Sequence, residues 1–123
     1  MDKPVRSYRD LVAWQKAMDL VTEIYRVSRE FPREEIFALT NQLRRAAVSI
    51  PSNIAEGQGK SSRKEFLYFL GNAKGSLFEV ETQILIARNL GYIVEEDLDP
   101  LLNLSAEVGR ILNGLLASLR DKK

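Results

Sequence analysis

Arg44 and Arg45 stand in the setting of this 123-residue chain that most invites chemistry. Both lie in the stretch LTNQLRRAAVSIPSNIAEG, from Leu39 to Gly57, whose apolar spacing is helical. In a helix, residues three and four positions apart are neighbours. For Arg44 these are Thr40, Asn41, Ala47 and Val48. For Arg45 they include Asn41, Gln42, Val48 and Ser49. Neither has a carboxylate on its own helix, whereas Arg26 has Glu23 and Glu30 within reach. A guanidinium fork matches phosphate geometry, so a phosphate-bearing ligand is one partner. A bridge to Glu79 or Glu81 on another helix, a pair across a subunit boundary and plain solvation are the alternatives. Lys60, Arg63 and Lys64 form a second cationic group beside Ser61 and Ser62, where a helix begins. Helix N-terminal amides and cations together suit an anion; a solvated loop is the alternative. The Gly57-x-Gly59 pair is no P-loop, because the G-x-x-x-x-G-K-[ST] spacing is absent.

Composition removes much other chemistry. The chain has no histidine, hence no neutral-pH imidazole base and no Ser-His-Asp triad. It equally lacks the Glu-x-x-His ligands of a di-iron bundle. Without cysteine there is no thiolate nucleophile, no disulfide and no thiolate zinc site. No acidic cluster has metal-site spacing. The expectation is therefore a non-enzyme, with no catalytic residue, no metal and no cofactor.

The elements that position the cations read as four helices in one domain, residues 1–123. Helix one is expected over roughly 8–30, with Ser7 and Asp10 at its cap. Its stripe is Leu11, Trp14, Met18, Val21 and Tyr25, widened by Ala17, Ile24 and Phe31. Phe31-Pro32 ends it. Helix two is expected over 33–57 with inward Ile36, Leu39, Leu43, Ala46, Ile50 and Ile54. Pro51 should kink it by clashing with the Ala47 carbonyl, unless a new helix starts there. Ser49, Ser52 and Asn53 are placed to satisfy freed carbonyls. Gly57 and Gly59 end the segment.

Helix three is expected over 62–90, opened by the capping box Ser62/Glu65 and closed by Gly91. It has two apolar stripes. One is Phe66, Phe69, Ala73, Leu77, Val80, Ile84 and Ala87. The other holds Leu67, Gly71, Phe78, Leu85 and Tyr92, so the helix is central or shared with another subunit. Gly71 and Gly75 are expected to permit close helix packing. Helix four, over 96–120, carries Leu98, Leu101, Ser105, Val108, Leu112, Leu115 and Leu119, with Pro100 in its first turn and a frayed end at Asp121, Lys122 and Lys123. Short links between long helices make an all-α, antiparallel up-down-up-down four-helix bundle.

Charge and hydropathy set the compartment. Met1 to Arg9 is polar and no apolar run reaches membrane length, so no signal peptide and no membrane association are expected, and the location is cytoplasmic. Net charge is +1, from +4 over residues 1–64 and −3 over 65–123. That is a mild asymmetry rather than a basic arm.

Several segments together resemble the 23S rRNA intervening-sequence protein family, also described as four helix bundle proteins. They are Ser7 to Trp14 (SYRDLVAW), Leu43 to Gly57 (LRRAAVSIPSNIAEG), Lys64 to Leu67 and Gly75 to Thr82. The similarity spans Tyr8 to Tyr92. What the resemblance implies is a four-helix bundle assembled into a closed homopentameric ring, with no established activity and no catalytic residues to carry over. A related accessory protein of diversity-generating retroelements has the same architecture and is associated with nucleic acid and reverse transcriptase. RNA or DNA, or a nucleic-acid enzyme, is the partner class this implies, with Arg44, Arg45, Lys60, Arg63 and Lys64 as the candidate contacts. A protein-binding module with no nucleic-acid role is the alternative. This chain's isoelectric point of about 8.0 is low for a dedicated RNA binder.

Overall fold

The structure, a computed structural model, describes residues 5–121. The expectations for Met1 to Pro4 and for Lys122 and Lys123 lie outside the described residues. Those described form four long helices and no strand: α1 (Val12–Ser28), α2 (Leu39–Gln58), α3 (Arg63–Asn89) and α4 (Glu95–Arg120). Each packs against two others, α1 and α3 both touching α2 and α4. The result is a four-helix bundle around one core.

Helix one begins later than the periodicity implies. Ser7 and Asp10 do form a capping box, but around a separate 3-10 turn, Tyr8–Asp10. The Asp10 carboxylate accepts from the amides of Arg6 and Ser7. Leu11 is then extended (φ −76°, ψ 125°), and α1 starts at Val12. The register also differs. Ala13, Ala17, Leu20, Ile24, Val27 and Phe31 are buried. Of the expected stripe, Ala17, Ile24 and Phe31 belong to that face, whereas Leu11, Trp14, Met18, Val21 and Tyr25 form its flank, with Met18 40% and Tyr25 38% exposed.

Helix two is likewise two pieces. Arg33–Glu35 is a 3-10 turn. Ala38 leaves helical geometry (φ −127°, ψ −108°), and α2 starts at Leu39. Ile36, expected inside, is half exposed. Glu35 bridges the break: its Oε1 accepts from the Leu39 amide at 3.3 Å. From Leu39, α2 runs through Pro51 to Gln58 without a second start. The polar cluster at Pro51 acts differently from expectation. Asn53 Nδ2 donates to the Ser49 carbonyl (2.8 Å) and to Ser49 Oγ (2.9 Å), not to the Ala47 carbonyl. Ser49 Oγ in turn shares a hydrogen bond with Ser76 Oγ at 2.8 Å. These residues tie α2 to α3.

The ends of α3 follow the sequence closely. Ser62 Oγ accepts from the Glu65 amide at 3.1 Å. Gly91 has φ +78°. Its amide bonds to the Arg88 carbonyl, and the Tyr92 amide to that of Ala87, which is a Schellman ending. The glycines within helices differ from expectation. Gly71 and Gly75 face open space, while Gly57 sits inside α2 where an added Cβ would lie 2.7 Å from the Phe69 Cβ. Gly57, not the α3 pair, is the close-packing glycine. In α4, Pro100 is the sixth helical residue, past the first turn. The buried register near the end also shifts from the expected Leu115 to Leu116.

Tyr92 lies in the link from α3 to α4. Its ring lies 5.6 Å from that of Phe31, and its hydroxyl donates to Glu35 Oε2 at 2.8 Å. That hydrogen bond first, then desolvation and the charges of Glu35 and Glu34, raises the Tyr92 pKa. A raised folded-state pKa favours the neutral phenol in the native state. Its contribution is complete below about pH 10, the unfolded value, and is lost as pH climbs through the folded value. Tyr92→Phe is expected to flatten the alkaline fall of stability, read as urea midpoints on either side of about pH 10. An unchanged slope would assign the transition to another group.

Candidate nucleic-acid interface

Arg44 is half-buried on the flank of α2 that faces α1. Its Nε donates to Ser28 Oγ at 2.8 Å and its Nη2 to the Tyr25 carbonyl at 3.5 Å. The guanidinium carbon sits 4.7 Å from the centre of the Tyr25 ring. The partner is thus the last turn of α1, with neither Glu79 nor Glu81 involved. A helix C-terminus carries partial negative charge, so a cation there is favoured. Two of the five guanidinium donors are engaged and three remain.

Arg45 is one residue further on, about 100° around the helix. It therefore faces the other way, into a shallow cavity of about 350 Å³ between α2 and α3. Glu79 lines the same cavity, yet Arg45 forms no hydrogen bond or ion pair among the described residues.

Lys60 and Lys64 stand at the α2–α3 junction, around a cavity of about 590 Å³ with Ser62, Tyr68, Phe69 and one carboxylate, Glu65. Lys60 Nζ lies 5.5 Å from the Phe69 ring centre. Arg63, also exposed, is the first residue of α3. The fourteen positions from Arg44 to Gln58, the end of α2, span about 21 Å of helix at about 1.5 Å per residue, and Lys60 lies two residues beyond. The five candidate cations therefore occupy three places: the α1–α2 junction, the α2–α3 flank and the α2–α3 loop.

The sequence reading missed two other cations. Arg29 and Arg33, in the link between α1 and α2, line a cavity of about 310 Å³ with Arg44. They belong to different elements from Arg44, so helical spacing gives no sign of the meeting. The ion pairs found among the described residues lie elsewhere. Lys16 pairs with Glu107, and Arg26 with Glu23 and Asp97, joining α1 to α4. Arg26, expected to choose among acids on its own helix, takes one of them and one from α4. The cations along α2 are left without such acids. No group of three or more acidic residues suited to a metal occurs among the described residues, and no described helix is long and apolar enough to cross a membrane.

The chain superposes on a crystal structure from Bacteroides thetaiotaomicron, described as a protein of unknown function from the S23 ribosomal protein family. The TM-score is 0.79 at 24% identity, covering 86% of this chain and 96% of the other. At that identity the likeness establishes the fold alone. A search of curated proteins finds no match. The sequence model of the 23S rRNA-intervening sequence protein family matches residues 9–114, from the Tyr8–Asp10 turn into the last two turns of α4. With most of the chain matched and the bundle in place, this protein belongs to the 23S rRNA-intervening sequence protein family.

Proposed function

We propose that the chain is a non-enzymatic, oligomeric scaffold of the cytoplasm that binds structured nucleic acid, or an enzyme acting on it, through cations spread along α2 and its two links. The observation that carries this reading is charge left unpaired. The side chains of Arg29, Arg33, Arg45 and Lys64 form no hydrogen bond or ion pair among the described residues, while the ion pairs gather at α1 and α4. Scattered single cations suit a polyanion contacted at several phosphates.

The reading includes a closed homopentameric ring of up-down-up-down bundles. Links as short as 59–62 and 90–94 favour antiparallel neighbours. A ring needs two unlike surfaces that fit each other. Two apolar faces support this. One is a groove of about 530 Å³ between α1 and α2, lined by Tyr8, Trp14, Met18, Val21, Val48 and Pro51. The other lies on α3, where Phe78 and Ile86 are 55% and 42% exposed beside Gly75. Repetition around a ring would multiply weak phosphate contacts, offsetting the modest net charge.

The test is a fluorescence-anisotropy titration with labelled structured RNA, single-stranded RNA and duplex DNA at low and physiological salt, with light scattering for mass. Affinity is expected to fall steeply with salt. Arg45→Ala and Lys64→Ala are each expected to lower the salt slope by about 1. Monomeric mass would remove the ring. Absence of binding at low salt would leave the alternative, a protein-binding or structural module with no nucleic-acid role.

A further inference from the structure

The geometry points to a phosphate-binding pocket at the junction of α1 and α2, built from Arg29, Arg33, Arg44 and the hydroxyl of Thr40. Its occupant is a phosphate ester carrying a terminal phosphate.

Three arginines from three elements line this cavity: Arg29 just beyond α1, Arg33 in the 3-10 turn and Arg44 on α2. No carboxylate lines it; the remaining walls are Ser28, Phe31, Pro32 and Ile36. Like charges gathered without a counter-charge repel one another, and an anion between them removes that repulsion. The nearest acids are accounted for. Glu35 has one carboxylate oxygen on the Leu39 amide and the other on the Tyr92 hydroxyl. Glu30 and Glu34 are exposed and do not line the cavity.

Thr40 supplies an independent observation. It lines the same cavity, is only 4% exposed, and its hydroxyl has no hydrogen-bond partner. A buried hydroxyl left unpaired is destabilising and rare in native proteins. The hydroxyl is covered in the ligand-free form, so a turn of the Thr40 side chain toward the cavity would bring it to a ligand oxygen. Thr40 is also the second residue of α2, so it stands where unpaired helix amides and the positive end of the dipole favour an anion. Arg44 is already positioned: Ser28 and the Tyr25 ring hold its fork and leave three donors available. A terminal phosphate is preferred to a backbone diester because it offers two negative charges to three cations.

The site is tested by calorimetric titration with inorganic phosphate, and by anisotropy with one oligonucleotide prepared with a 5′-phosphate or a 5′-hydroxyl end. Phosphate is expected to bind the wild type. Arg29→Ala and Arg33→Ala, both at exposed positions, are each expected to weaken it about tenfold. Thr40→Val is the decisive variant. It should weaken phosphate binding yet raise the melting temperature of the phosphate-free protein, a pairing that a purely structural threonine would not give.

A preference for the 5′-phosphorylated strand would identify a nucleic-acid end as the source of the phosphate. Equal binding of the two strands with inorganic phosphate still bound would identify a small phosphate ester. Phosphate binding with neither strand bound would keep the pocket and remove the nucleic-acid scaffold reading. No phosphate binding, or binding unchanged in all three variants, overturns the pocket and leaves the scaffold reading to its own test.

Discussion

Leu20→Ala is expected to destabilise the protein by roughly 2–5 kcal/mol, the range for truncating a fully buried leucine. Leu20 has no exposed surface and sits within the core cluster. The cost combines lost burial with the cavity left among neighbours that relax only in part. Met18 on the same helix is 40% exposed, so Met18→Ala should cost less than about 1 kcal/mol. Urea denaturation of the two variants compares them directly. Similar losses would place Met18 under cover, either in the register the periodicity implies or against a second copy of the chain.

Gly57→Ala carries the second large effect. The new Cβ would lie 2.7 Å from the Phe69 Cβ and 3.0 Å from Phe66 Cδ1. The Phe69 Cβ is fixed to the α3 backbone, so relief requires the two helices to separate. Overpacking of this kind costs about 1–3 kcal/mol. The helix-propensity gain of about 1 kcal/mol offsets part of it. The net expectation is a loss of up to about 2 kcal/mol. Gly71→Ala is the control. Nothing lies within 4 Å of its added Cβ, so only the propensity gain applies, and stability should rise by about 0.5–1 kcal/mol. Thermal melts should move in opposite directions. Should both variants gain stability, the close approach of α2 to α3 at Gly57 would be wrong.

Both expectations bear on function, because α2 carries the candidate cations and is held from both sides. On one side Gly57 lets α3 approach, and Ser49 bonds to Ser76. On the other, Arg44 is bound to the end of α1. The same packing separates the cations. It turns Arg44 toward α1 and Arg45 toward α3, and leaves Lys60 and Lys64 beyond the far end of α2.

The sequence by itself determined the features whose causes are local. Apolar spacing of three and four residues makes the four helices, since the period of burial must match the period of the backbone. Ser62 caps α3 because its hydroxyl reaches an amide three residues on, and Gly91 ends it because a positive φ suits glycine. The absence of histidine and cysteine removed whole classes of chemistry before any fold was known. The family, too, was legible in LRRAAVSIPSNIAEG, and the matched residues 9–114 agree.

Tertiary structure decided everything that depends on which neighbour a face meets. In α1 the spacing put Trp14 and Met18 at the centre of the stripe and Ala17 and Ile24 at its margin, and packing against α2 and α4 buried the margin together with Leu20. The breaks at Leu11 and Ala38 occur where the chain turns onto the bundle, a geometry that helical periodicity does not encode. Gly57 resembled a helix end because glycine commonly is one, but the nearness of Phe69 comes from α3. Arg44 lacked an acid on its own helix, and its partners proved to be Ser28 and Tyr25, sixteen and nineteen residues away. Arg29, Arg33 and Thr40 share a cavity with it for the same reason: folding brings together side chains that no spacing along one helix relates.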